Sequence, residues 1–207
     1  MARYPADHKP AVRRRLVETA GRRLKRDGID GSGVAALVAD AGLTNGAFYG
    51  HFASKDDLVA AVVADQVRAQ AARVEAVPPG PASVEAFVDD YLAPSHRDDR
   101  AGGCPAAALL AEIGRSDLAT RTAYTTGATA LVDALAGLLD DGDSGDGGSA
   151  RERAIGVLAL LVGALQAARA VTDPVLSDAV LDAARRGALT LARPRTTPRV
   201  ATHRESA

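Results

Sequence analysis

The chain has 207 residues, a net charge of -1 and a single Cys. That length can bury a sizeable core, as one large domain or a small one joined to a larger one. One Cys excludes an internal disulfide and fits a reducing compartment, while an Ala-rich chain with only seven aromatics favours helix over sheet. The expected fold class is all-α, with about nine helices. The opening MARYPADHKPAVRRR is charged and lacks an apolar core segment, so no secretory leader is expected. The most apolar run, Ala154 to Val171, is interrupted by Gln166 and Arg169 and reads as short of the ~20 residues a membrane span needs. A soluble, cytoplasmic protein is the expectation.

The near-zero net charge hides an asymmetry. Residues 1–26 carry nine Lys/Arg against two acids, and residues 193–207 carry four Arg against one Glu. The body between them is therefore acidic. A basic arm on an acidic body suggests that one end meets a polyanion.

Residues 1–8 read as disordered. The first helix is expected from about Pro10 to Arg26, with Val12, Leu16, Val17, Ala20 and Leu24 on one face and Gly28 as its stop. Ser32 is the expected N-cap of a second helix, Gly42 its left-handed exit, and Thr44 the cap of a third. In that third helix Phe48 and Phe52 are four apart and share a core face. Ser54 and Asp57 approximate a capping box for a long fourth helix, which the Pro-Gly run at 78–81 ends. A fifth helix covers about 83–92, and the polar run 94–103 reads as a loop. A sixth opens at Pro105 behind Cys104, and a seventh spans about 116–139. The Gly/Asp/Ser stretch 140–149 reads as a flexible linker. Asp141, Asp143 and Glu152 fall at calcium-loop spacing, but Asp146 stands where such a loop needs its Gly, which argues against a metal there. The eighth helix, about 151–171, is apolar almost all round and must be covered on two sides: one side can be its own domain and the other a second copy, the alternative being a central helix of a monomeric bundle. A ninth ends near Leu191.

The stretch Val34–Leu58 reads as a helix-turn-helix. Such a unit presents the start of its second helix to base edges while flanking groups grip phosphate. Asn45 is able to read a base and Ala47 to touch a thymine methyl. Tyr49 and His51 are placed to reach phosphates. Lys55, a cation at the start of a helix, makes sense where a phosphate lands. Gly46 and Gly50 each cost about 1 kcal/mol relative to Ala in so short a helix, which a helix lying close against a groove wall has reason to accept.

Val38-Ala-Asp-Ala-Gly-Leu43, followed by Thr44-Asn-Gly-Ala-Phe-Tyr-Gly-His-Phe-Ala-Ser-Lys-Asp-Asp-Leu58, resembles the signature of TetR/AcrR-type transcriptional regulators. The resemblance implies a three-helix DNA-binding domain at 1–55 and a ligand-sensing and dimerisation domain at 56–192, with 193–207 left as a disordered basic tail. It implies Thr44, Tyr49, His51 and Lys55 at phosphates, and Asn45, Gly46, Ala47 and Gly50 nearest the bases. It also implies a homodimer through the eighth and ninth helices, about 151–191. The implied partners are double-stranded DNA and an unknown small-molecule effector, with no membrane and no cofactor.

Enzyme chemistry finds little foothold. His8, His51, His96 and His203 are scattered, and no phosphate loop or nucleophile elbow is present. Candidate effector contacts are the polar or aromatic residues that interrupt apolar helices: Tyr91, Glu112, Arg115, Tyr124 and Gln166, with Cys104 at a helix N-terminus as a possible redox or electrophile sensor. Glu112 and Arg115, three apart, can equally pair with each other. A helical enzyme or carrier that binds a small apolar molecule, and a sensorless DNA-binding or protein-interaction module, are the rival readings.

Overall fold

The structure is a computed structural model that describes residues 8–140 and 147–194. The expectations for 1–7, 141–146 (the calcium-like spacing among them) and 195–207 lie outside the described residues. Among those described, every regular element is helical: α1 His8–Asp27, α2 Val34–Asp40, α3 Asn45–Tyr49, α4 Lys55–Glu75, α5 Pro81–Tyr91, α6 Pro94–Asp98, α7 Pro105–Ile113, α8 Leu118–Leu138, α9 Gly147–Ala170 and α10 Pro174–Ala192. The fold is all-α, as the composition required.

Two apolar cores organise these helices. The first gathers Leu16, Ala20 and Leu24 of α1, Leu37 and Val38 of α2, Phe48 of α3 and the neighbouring Phe52. It extends along α4 through Leu58, Val62 and Val67, and takes in Leu109 and Ile113 of α7. The second is built from the end of α4 with α5 and α7 to α10, around Val88, Leu135, Ala154, Leu161 and Leu165. The long α4 thus belongs to both. Its tight pairing with α8 depends on Gly127, where an added Cβ would come within 2.7 Å of Val67 Cγ1.

Local signals explain most helix ends. Gly28 and Gly42 have φ of 83° and 63°, a region costly for any residue with a Cβ, and they close α1 and the α2–α3 turn. Ser54 caps α4 by accepting the Asp57 N–H at 3.1 Å, while the Asp57 carboxylate accepts the Ala53 N–H, one residue away from a strict capping box.

Three expectations need correction. Ser32 does not cap α2; Gly33 holds that position without a side-chain bond, and the buried Ser32 hydroxyl donates back to Gly28 O at 2.8 Å. The run 94–103 is not all loop, because Pro94–Asp98 forms a turn of helix with Pro at its start. Its last carbonyls are satisfied from 72 and 73 residues away, as Arg169 donates to Arg97 O at 3.0 Å and His96 O at 2.8 Å. Finally, Ala150–Ala170 is long and apolar enough to cross a membrane by length and composition, where the sequence reading placed the run short of that. Its central residues Ala154, Val157, Leu161 and Leu165 are instead buried in the second core. Arg169 is spent on α6.

Candidate nucleic-acid interface

A helix of five residues cannot hold itself together, since nucleation costs more than so few backbone bonds return. α3 is held instead by Phe48, which is fully buried and lies 6.0 Å from Phe52 between ring centroids. Thr44 caps it, accepting from Ala47 N–H at a long 3.4 Å. Anchoring by Phe48 turns the adjacent Tyr49 outward, 66% exposed, with its ring edge-on to Phe48 at 5.1 Å. Thr44, Asn45, Gly46 and Gly50 are exposed as well, while Ala47, His51 and Lys55 are half-buried. The eight predicted contacts therefore run from the cap of α3 to the first residue of α4, with the buried aromatics behind them.

Gly46 has no positive φ, and a Cβ built on it would meet nothing within 4 Å. Neither backbone strain nor crowding within this chain requires glycine there.

Sequence reasoning missed how α1 and α2 support this helix. The Arg13 guanidinium stacks over the Phe52 ring at 4.6 Å, which sets a cation beside the recognition helix. Arg23 forks onto Asp40 of α2, Nη2 to Oδ1 at 2.9 Å, and that hydrogen bond holds the Asp40 carboxyl below its ordinary range. Neither pairing has a signature at fixed spacing.

The turn between α1 and α2 is a junction. Glu112 Oε1 on α7 accepts the N–H groups of Ile29 at 2.8 Å and Asp30 at 3.1 Å. Lys55 Nζ donates to Ile29 O at 2.6 Å. Glu112 thus serves this turn and makes no ion pair with Arg115 among the described residues. Lys55 is thus turned toward a backbone carbonyl, which accounts for a cation at the start of α4.

Behind the interface, an open cavity of about 620 Å³ lies between the end of α4, α5 and the segment 95–104, with Gln70, Phe87, Tyr91, His96 and Cys104 in its wall. Of the predicted effector contacts it contains Tyr91 and Cys104 only. Arg115 is exposed, Glu112 serves the α1–α2 turn, Gln166 lies half-buried on α9, and Tyr124 packs between the two cores. Cys104 is buried; its Sγ donates to Gln70 Oε1 at 3.4 Å and its backbone N–H to His96 Nε2 at 3.0 Å. The other ring nitrogen of His96, Nδ1, lies 2.7 Å from Tyr91 O and can only donate to it. These two bonds select the neutral ring with its proton on Nδ1.

Burial also lowers the His96 pKa from its ordinary 6.5. An unfolded His96 takes its proton near 6.5 and a folded one only below that, so this residue withdraws stability as pH falls below about 6.5. The melting temperature is expected to fall more steeply between about pH 7.5 and about 5.5 in the wild type than in His96→Gln. Equal slopes by calorimetry would count against the assignment.

Comparison with known proteins agrees with this geometry. Residues 16–62 match the family model described as bacterial regulatory proteins, tetR family. A sequence comparison with curated proteins gives no match. Among solved structures the chain resembles the reduced form of E. coli NemR, with a TM-score of 0.73 at 22% identity over 86% of this chain and 95% of that one. SCO4454, a TetR-family transcriptional regulator from Streptomyces coelicolor, matches with a TM-score of 0.65 at 25% identity over 89% and 97%. FadR from Bacillus subtilis, solved with stearoyl-CoA, matches with a TM-score of 0.54 at 17% identity over 84% and 98%. The matched segment spans the helix-turn-helix and the start of α4, and the likeness of fold runs through the remaining helices. Residues 16–62 are thus similar to the tetR family of bacterial regulatory proteins, and the all-α fold is the one shared by solved TetR-family transcriptional regulators.

Proposed function

We propose that the chain is a cytoplasmic repressor that binds a pseudo-palindromic operator as a homodimer and is released by a small molecule. The observation that carries the release step is the cavity beside the end of α4, since the opposite end of that helix borders the recognition unit. A ligand that prefers one setting of α4 lowers DNA affinity by its differential affinity for the two settings. Of the contacts named from sequence, we keep Tyr91 and Cys104 as cavity residues. Thr44, Tyr49, His51 and Lys55 are assigned to phosphates, and Asn45, Gly46, Ala47 and Gly50 to the bases. In this reading 1–55 binds DNA and 56–192 senses and dimerises, with Lys55 exchanging Ile29 O for a phosphate on binding.

Support for a dimer comes from two helices. α9 exposes Ile155, Ala159, Gly163 and Ala167 at helical spacing, and α10 exposes Leu176, Ala179 and Ala183. Stripes this apolar and small suit close packing against the same helices of a second copy. A second reading has the signal arrive at the Cys104 thiol itself. It is favoured by that thiol standing in the cavity wall, where oxidation or alkylation would break its bond to Gln70.

Footprinting on the DNA flanking the chain's own gene tests the main reading. Wild type is expected to protect a palindrome with half-site centres about 34–36 Å apart, and Tyr49→Ala to lose that protection. No protected site, or equal protection by the variant, would overturn the reading.

A further inference from the structure

The wall of the cavity is tied to α1 by a route that bypasses α4. Lys25, in the last turn of α1, is buried at 9% exposure, and its Nζ donates to Gly103 O at 2.9 Å across 78 residues of chain. Gly103 belongs to the cavity wall and immediately precedes Cys104.

The segment that carries this carbonyl has little slack. Asp99 Oδ1 accepts the Gly102 N–H at 2.8 Å, Asp99 O accepts the Gly103 N–H at 3.1 Å, and His96 Nε2 accepts the Cys104 N–H. A Cβ on Gly103 would lie 2.6 Å from His96 Nε2. A molecule that displaces His96 or Cys104 must therefore carry the Gly103 carbonyl with it.

At the other end stands an ammonium that has given up water. It makes no ion pair among the described residues, and burial pushes its pKa down from 10.5 to about 8. Stability alone gives little reason for a lysine here, because an apolar side chain of the same length would avoid the cost of burying charge. The arrangement makes sense as a contact that can be made or lost. When Gly103 O moves away, Lys25 must follow it or regain water, and either choice moves the last turn of α1. That turn follows directly on Arg23, which holds α2, and leads into the α1–α2 junction that receives Glu112 and Lys55.

We propose that the Lys25–Gly103 contact couples the effector cavity to the DNA-binding helices, in parallel with α4, with Lys25 acting as a positioning residue. The inference rests on the reading of the cavity as the effector site. Coupling is reciprocal, so bound DNA must be felt at the cavity wall whatever the natural effector is.

The one Cys of the chain is a built-in reporter at that wall. The experiment follows modification of Cys104 by methyl methanethiosulfonate, quantified by mass spectrometry, with and without a duplex that the wild-type protein selects from a random pool. In wild type, saturating duplex is expected to change the modification rate by at least about fivefold. Lys25→Met should fold and bind the duplex within about threefold of wild type, yet lose the DNA-dependent change in rate, while Lys25→Arg, which keeps a donor, retains it. Should Lys25→Met fail to fold, Lys25→Gln takes its place. The proposal is overturned if the duplex leaves the wild-type rate unchanged, or if the Met or Gln variant responds to the duplex as wild type does. Failure to select any duplex would sink the DNA-binding reading instead, so the two failures are distinguishable.

Discussion

Phe48→Ala is expected to cost about 3–5 kcal/mol of stability and to abolish specific DNA binding, although its side chain touches no solvent and no base. The size of the loss follows from the smallness of the first core. Phe48 and Phe52 are its two largest fully buried side chains, and the ring of Phe48 is the only apolar anchor that α3 itself contributes. A five-residue helix has no reserve once that anchor goes, and whole domains are stable by only about 5–15 kcal/mol. The adjacent Tyr49→Ala is expected to be nearly silent in stability, because the ring it removes is mostly exposed. Urea denaturation of both variants beside a DNA-binding titration separates the two roles. If Phe48→Ala melts with the wild-type midpoint, or Tyr49→Ala shares its loss of stability, the division of α3 into a buried side and a reading side is wrong.

That division was legible in the sequence because it depends only on spacing. Phe48 and Phe52 are four apart, Gly42 and Thr44 bracket the turn, and each signal is local. The same holds for Pro81, Pro105 and Pro174, each of which stands at the first position of a helix. What escaped the sequence is long-range and carried by backbone atoms. Glu112 reads as one half of a helix-surface pair because Arg115 is three residues on. Nothing in the spacing reveals that it reaches across 83 residues to two amides exposed by the turn at Gly28. α6 was hidden in the same way, since its carbonyls are satisfied by Arg169, a residue whose charge had counted only as a break in an apolar helix. His96 looked like an isolated histidine because both of its partners are main-chain atoms.

Four charged side chains share such a role. Lys25, Lys55, Glu112 and Arg169 each neutralise a backbone group at a helix end or turn, and each joins elements far apart in the chain. Lys25, Lys55 and Glu112 converge on α1 or the α1–α2 junction, between the recognition unit and the cavity. A regulator needs that region to hold one of two settings. Charged side chains on backbone partners suit this better than apolar packing, because a charge that loses its partner forces the structure to choose another arrangement.

Ala159→Arg is expected to leave the folded chain nearly as stable as wild type while dissociating the proposed dimer. Ala159 is exposed in the single chain, at the middle of the α9 stripe between Ile155 and Gly163. On a surface that faces water, a long cation changes stability by no more than about 0.5 kcal/mol. On a surface covered by a second copy, two-fold symmetry brings two guanidinium groups into the same seam of small and apolar side chains. The flanking Gly163 and Ala167 leave room for a close helix approach but no group to solvate a charge. DNA binding should fall with dimerisation, because each protomer offers one recognition helix and an operator asks for two. Loss of about 10³-fold or more, toward non-specific affinity, is the expected scale. Sedimentation equilibrium measures the assembly, circular dichroism the fold, and titration onto the protected operator the affinity. An Ala159→Arg protein that sediments as a dimer would move the interface away from α9. One that is monomeric yet binds with wild-type affinity would instead remove the need for a dimer.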